Sequence, residues 1–317
     1  MDRFLETISE ILLQNRHRVI LCSRNAKGLP NVVALFLYYW DADSWMFALF
    51  PQSETLKNID QFPEVSLSVV DWVNLRGFQI KGLASRVQLP RDFRPRSKEA
   101  WNQVIAMGAT QYVKVEPYEL YDVIPKEGLN KPLWKKGPSW HRSTLPPLFS
   151  IPPHFSMQIG SVPLPKTLQA SIEQIHRTNL TMKVPCFLGT VDEKGIPNVS
   201  PRFLLELNPD HWLYGDGFMN KTFLNITRPS PAAITLIDWN AQKGFQTKGW
   251  CETKFSGELI GKVKEHWERL GFRIKAIQAV LYHPEEIYEV ELGLRRQVFE
   301  GHPQSKWLDV NLRENPR

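Results

Sequence analysis

The chain has 317 residues, enough for two domains of ordinary size that each bury a core without disulfides or metal. Apolar residues make up 42% and charged residues 23%, a globular mix that speaks against a disordered tail protein and against a membrane protein. The formal charge of +6 is modest for this length; the basic stretches Leu129–Arg142 and Leu292–Gln297 come with no recognition motif and read as solvated surface, so no nucleic-acid partner is expected.

The chain opens with an amphipathic helix from Phe4 to about Gln14, whose acids and helical period do not suit a signal peptide. A short strand and a tight turn, Asn25-Ala26-Lys27-Gly28, follow, with the glycine supplying a positive φ. Strand-like sequence runs from Val32 to Tyr39, turns at Asp41–Ser44 and returns through Trp45 to Phe50. After a short helix around Leu56–Ile59 come two β-rich runs, Val65–Val70 and Phe78–Val87, a connecting helix and a last strand ending at Val123. This order then recurs: a helix from Leu168 to about Thr178, the turn Asp192–Gly195, strands over Val199–Leu207 and Trp212–Gly217, and a final strand ending at Val290.

The recurrence is a whole-domain duplication. Asn31 aligns with Asn198, an offset of 198 − 31 = 167, and the same offset pairs Trp45 with Trp212, Trp72 with Trp239 and Gly77–Gly82 with Gly244–Gly249. Between Lys27 and Gly82 there are 19 identities in 56 positions without a gap, far too long a period for a solenoid. The division expected is a first repeat over 1–124, a Pro- and aromatic-rich linker over 125–165, a second repeat over 166–293 and a polar, partly disordered tail over 294–317. Trp134, Trp140, Phe149 and Phe155 suggest that the linker lies along the domains. Many short strands with one or two helices per copy predict a mostly β protein built of two small antiparallel barrels.

Cys22, Cys186 and Cys251 form no CxxC pair, as expected for buried, reduced thiols, and the eight histidines show no metal-ligand spacing, so no metal is expected. Cytoplasmic localisation follows from these readings as an expectation. The sequons at Asn179, Asn198 and Asn225 are read as helix and strand residues rather than glycan sites.

The motifs Lys194–Pro201 (KGIPNVSP), Asn220–Ile226 (NKTFLNI), the strand ending in Asp238-Trp239 and Gly244–Gly249 (GFQTKG), repeated in part in the first copy, resemble the FMN-binding split β-barrel family that includes pyridoxamine 5′-phosphate oxidase. The resemblance implies two tandem split barrels packed as an intramolecular pseudo-dimer, monomeric in solution, with FMN at the interface of the repeats and a small-molecule substrate or electron donor and acceptor as partner. It also implies flavin-dependent oxidoreductase activity, although no acid or base can be nominated and the C-terminal substrate signature of the oxidase is not recognisable. The alternatives are a carrier or sensor without turnover, a deazaflavin protein, or a haem-binding barrel using a histidine such as His283.

Phosphate needs cations, hydroxyls and free N–H donors, and the matching positions of the second copy supply them: Arg202, Lys221 and Thr222, with Asn220 as helix cap and Asn225 one turn further on. The resemblance places Ser200 and Pro201 beside the flavin ring; Gln246 and Lys248 can reach its polar edge, and the first copy is expected to supply the opposite wall through Trp72 or the linker aromatics. In the first copy the cations are replaced: Leu35 stands at the place of Arg202, Glu54 at that of Lys221 and Ser53 at that of Asn220, with Lys57 the one nearby cation. One site, anchored on the second copy, is therefore expected.

Overall fold

The computed structural model describes residues 1–74, 76–123, 131–136, 164–227, 230–271, 275–291 and 294–300, with residues 291 and 294–300 described by backbone alone. In the first repeat α1 (Asp2–Gln14) leads to β1 (Arg18–Arg24), β2 (Pro30–Phe36), β3 (Tyr39–Trp40), β4 (Trp45–Leu49), α2 (Glu54–Gln61), β5 (Glu64–Asp71), β6 (Arg76–Arg86), α3 (Lys98–Ala106) and β7 (Gln111–Asp122). A two-residue strand, β8 (Trp134–Lys135), pairs with β7. The second repeat follows with α4 (Lys166–Thr181), β9 (Cys186–Val191), β10 (Pro197–Arg202), β11 (Leu204–Leu207), β12 (Trp212–Asp216), α5 (Lys221–Asn225), β13 (Ser230–Asp238), β14 (Lys243–Lys254), α6 (Glu258–Arg269) and β15 (Gln278–Glu291). Finally β16 (Leu294–Glu300) pairs with β15, so the start of the polar tail is an added edge strand.

The two sheets have one topology, β2-β1-β5-β6-β7-β4-β3 and β10-β9-β13-β14-β15-β12-β11. In each, the two edge strands are consecutive pieces of chain separated by one or two residues, so the ribbon curls until its edges meet in a split barrel. The last glycine of the repeated hexapeptide sits at a β-bulge in both copies, where the β6–β7 register shifts between Lys81 and Gly82 and the β14–β15 register between Lys248 and Gly249. A side chain at Gly249 would run into the carbonyl of His283, which is why only glycine fits that bend.

Each helix is placed by its apolar stripe. Ile8, Ile11 and Leu12 of α1 plug one end of the first barrel, and the chain escapes the helix through Arg16 and His17 at φ 50° and 58°. Lys183, the counterpart of Arg16 at the 167 offset, turns the second repeat the same way at φ 55°. α2 starts at Ser53, whose hydroxyl accepts the Leu56 N–H at 3.2 Å, and α5 starts at Asn220, whose Oδ1 accepts the Phe223 N–H at 3.0 Å. Trp134, from the stretch assigned as linker, packs against the first barrel core; Trp140, Phe149 and Phe155 lie outside the described residues.

An antiparallel sheet with one wet face alternates apolar and polar residues, but β5 is buried along all eight of its residues. Val65, Leu67 and Val69 fill the first barrel, while Val70 turns outward into a separate cluster with Ile20, Cys22, Val32, Phe187 and Val199. That cluster draws on both repeats and is the seam of the expected pseudo-dimer. Its symmetry is visible atom by atom: Gln79 Nε2 donates to the Val199 carbonyl at 2.5 Å, and its counterpart Gln246 Nε2 donates to the carbonyl of Val32. Trp72 and its counterpart Trp239 stack with centroids 6.4 Å apart and planes at 14°, next to the approximate twofold axis. Gly189 is opposite Val32 and Cys22, and a Cβ there would collide with both, so the barrels approach only because this strand position carries no side chain.

Candidate functional site

The expected phosphate residues of the second repeat are brought together. β10 carries Ser200 and Arg202, and Ser200 Oγ lies 2.7 Å from Thr222 Oγ1, which also accepts from Asn198 Nδ2 at 2.8 Å. The hydroxyl of Thr222 is thus held from two sides and the start of α5 is pinned to β10. Asn225 is turned inward, donating to Thr190 Oγ1 at 2.8 Å. It braces the helix rather than facing a ligand. Asn179 and Asn198 are buried, as a helix and a strand residue.

The cations are not bare. Arg202 Nη2 lies 2.8 Å from Asp216 Oδ1, with the two side chains 10% and 2% exposed, and Nη1 donates to the Pro201 carbonyl at 2.7 Å. Lys221 reaches across the seam: its Nζ donates to the Tyr121 hydroxyl at 2.6 Å and stands 3.9 Å from Glu119 Oε2, which accepts the Tyr121 O–H at 2.6 Å. The magnitudes separate their roles. Pulling Arg202 off a buried carboxylate costs about 3–5 kcal/mol, whereas a loose pair such as Lys221 with Glu119, on a lysine a quarter exposed, is worth roughly 1 kcal/mol or less. Lys221 is the cation that can turn to an incoming anion; Arg202 is held as a strut between β10 and the end of β12.

The remaining candidates are divided by the crossing of the seam. Trp72 of the first repeat is in the stacked pair and meets Phe187 of the second repeat edge-on at 6.2 Å. Gln246 and Lys248, in contrast, are not with Lys221. Gln246 is fully buried against the first repeat's Val32, and Lys248 lies over the Tyr288 ring at 5.7 Å. The residue that occupies the corresponding place beside Ser200 is Gln79 of the first repeat, bonded to the Val199 carbonyl. The outer face of each β6 or β14 strand packs against the other repeat, a relation that motif order within one copy does not reveal.

The twofold therefore creates two seam sites. At the second one, Tyr288 donates to Glu286 Oε2 at 2.6 Å, repeating the Tyr121–Glu119 pair, and a cleft of about 130 Å³ lies between β2 and the β13–β14 turn. Its walls include Leu35, Phe50 and Ser53 from the first repeat and Trp239, Gln242 and Gln246 from the second. Among the described residues no histidine lines it. His283 instead stacks on Trp250 at 3.8 Å beside Glu252, and burial holds its imidazole below the usual range despite that carboxylate. All three cysteines are buried, and burial pushes each thiol up to about 12, which removes them as nucleophiles. Among the described residues no helix is long and apolar enough to cross a membrane, and no three of His, Cys, Asp and Glu gather as a metal site.

Comparison with known proteins places these features. The family model for pyridoxamine 5′-phosphate oxidase matches residues 4–128. No curated protein matches the chain. Among solved structures, HupZ from Group A Streptococcus is 19% identical, with 40% of this chain and 97% of that one covered and a TM-score of 0.35. A pyridoxamine 5′-phosphate oxidase-related FMN-binding protein from Nostoc punctiforme is 14% identical, with coverage of 38% and 84% and a TM-score of 0.29. HutZ, a haem storage protein from Vibrio cholerae, is 17% identical, with coverage of 37% and 92% and a TM-score of 0.28.

Proposed function

We propose that the chain, whose residues 4–128 match the family model for pyridoxamine 5′-phosphate oxidase and whose second repeat copies their fold, is an FMN-dependent oxidoreductase with its flavin at the seam, anchored on the second repeat. The observation that carries the reading is Lys221, a cation that crosses the seam at the start of α5 next to the hydroxyls of Ser200 and Thr222. The corresponding place in the first repeat holds Glu54.

The chain's residues fit the group in a specific way. Lys221 turns from Tyr121 toward the phosphate, the Ser200–Thr222 hydroxyl pair has one O–H left to donate to it, and Arg202 fixes β10 without leaving Asp216. Gln79 and Trp72 come from the first repeat and close the ring side of the site. The flavin, when bound, supplies the hydride or electron chemistry; the protein binds, orients and keeps water out. Glu119 opposes an anion here, so phosphate binding depends on Lys221 staying between them.

The absorption spectrum of freshly purified protein is the first test, with a flavin band expected and a haem or deazaflavin band pointing to the other cofactors. Turnover is the second. Bound FMN should be reduced by a nicotinamide cofactor and reoxidised by a defined acceptor over many cycles; binding without turnover across a broad acceptor panel would leave a carrier or sensor.

A further inference from the structure

The cleft at the other seam site has lost what a phosphate needs and acquired a different set of features. At the 167 offset Ser200 becomes Val33, Arg202 becomes Leu35 and Lys221 becomes Glu54, so one hydroxyl and both cations are gone on the first repeat's side, while Thr55 is kept at the place of Thr222. The lining there is mainly apolar, with Val33, Leu35, Leu49 and Phe50 against the indole of Trp239 and Ser53 and Thr55 beside them.

Two observations show that this surface is more than a patch of core left open. Gln246 is 0% exposed and lines the cleft; its Nε2 donates to the carbonyl of Val32, and its Oε1 has no hydrogen-bond partner. The Val32 carbonyl can only accept, which fixes the nitrogen end of the amide and leaves the oxygen as the buried acceptor that seeks an N–H or O–H. The cleft is also one-sided in charge. Arg18 and Lys243 line it and, among the described residues, no aspartate or glutamate does. Arg18 lies over the Trp239 ring at 5.3 Å, half-buried, and has no ion-pair partner among the described residues, Glu99 being the acid that acts on it at longer range.

We propose that this cleft is a second binding site, distinct in ligand from the flavin site: it takes one small, flat aromatic acid that carries no phosphate. The ring packs on the apolar wall of Leu35 and Phe50 beside the Trp239 indole, a ring N–H or O–H donates to Gln246 Oε1, and the carboxylate or sulfonate pairs with Arg18. Apolar contact gives affinity, and the buried acceptor gives selectivity, since an analogue without the donor leaves Gln246 unpaired. The proposal does not rest on flavin binding at the other site and fails or stands separately from it.

The test uses the full chain with FMN present, and 8-anilinonaphthalene-1-sulfonate as probe, because that molecule has a flat bicycle, one N–H and one anion. Fluorescence should rise to saturation at one probe per chain, and indole-3-propionate should displace it. Leu35→Glu should weaken the probe about tenfold or more by placing a carboxylate on the apolar wall, and Gln246→Leu and Arg18→Gln should each weaken it by a smaller factor. Far-ultraviolet circular dichroism checks that each variant is folded; should Gln246→Leu not fold, the other two decide. Lys221→Glu should lower FMN affinity and leave the probe unchanged. Probe binding that is indifferent to both Leu35→Glu and Arg18→Gln would overturn the proposal, as would displacement of the probe by one further equivalent of FMN, which would make the cleft a second flavin site.

Discussion

Lys221→Glu copies the first repeat's residue into the second and loads the whole phosphate argument onto one side chain. A unit charge about 4 Å from a phosphate charge is worth on the order of 4 kcal/mol at an effective dielectric near 20. Lys221 is about a quarter exposed, so solvent screening takes a large part of this, and roughly 2 kcal/mol of lost attraction is a fairer figure. The glutamate adds repulsion, and it does so beside Glu119, which the lysine had held at 3.9 Å. A loss of about 2–4 kcal/mol, or roughly thirtyfold to a thousandfold in dissociation constant, is expected. Titration of apoprotein with FMN, read by flavin fluorescence, measures it, and Lys221→Met separates the missing cation from the added anion by giving an intermediate value. Unchanged affinity in a folded Lys221→Glu variant would show that the phosphate lies elsewhere.

Three further outcomes follow from the seam and the core. A fragment ending at residue 123 exposes Ile20, Val32 and Val70, each worth about 1.5–3 kcal/mol when buried, and should elute as a self-associated species or precipitate; a soluble monomeric half in size-exclusion chromatography would refute the seam. The two seam glutamines should not be equivalent: the Val32 carbonyl also accepts from Thr235 Oγ1 at 2.7 Å, whereas the hydroxyl of Ser68, the counterpart of Thr235, has no hydrogen-bond partner among the described residues, so Gln79→Leu orphans the Val199 carbonyl and should cost about 1–3 kcal/mol in urea unfolding, more than Gln246→Leu. Because burial pushes all three thiols up to about 12, a thiol reagent at pH 8 should modify none of them in the native chain and all three after denaturation; a fast-reacting native thiol would contradict the packing.

Much of this was legible in the residues. The offset of 167 alone predicts the common topology of the two sheets, the helix caps at Ser53 and Asn220, and the correspondence of Gln79 with Gln246 and of Trp72 with Trp239. It does not predict which copy's strand faces which copy's site. Gln246 and Lys248 stand in the same repeat as Lys221, yet the twofold turns their strand toward the first repeat, because the face a β-residue shows to a partner depends on how two barrels dock and not on strand period. The acids that neutralise the cations were equally hidden. Asp216 lies four residues before Asn220 and could have been suspected, but Glu119 is supplied from across the seam, about a hundred residues away in sequence. Burial of β5 on both faces did carry a signal, the run of apolar residues at Val69 and Val70, which a one-faced strand would not need.

The seam also changes what a single substitution can do. In a dimer of identical chains every altered codon is expressed at both sites, so an improvement at one that harms the other is kept or lost as a package. Here the residues on the two sides of the axis are encoded separately. Leu35 can stand opposite Arg202, and Glu54 opposite Lys221, without compromise, and the buried acceptor on Gln246 can be left open while the carbonyl partner of Gln79 remains its only obligation. Fusion has made the two halves of one symmetric frame heritably independent, and that independence is what allows a single chain to offer two recesses of different chemistry across the same interface.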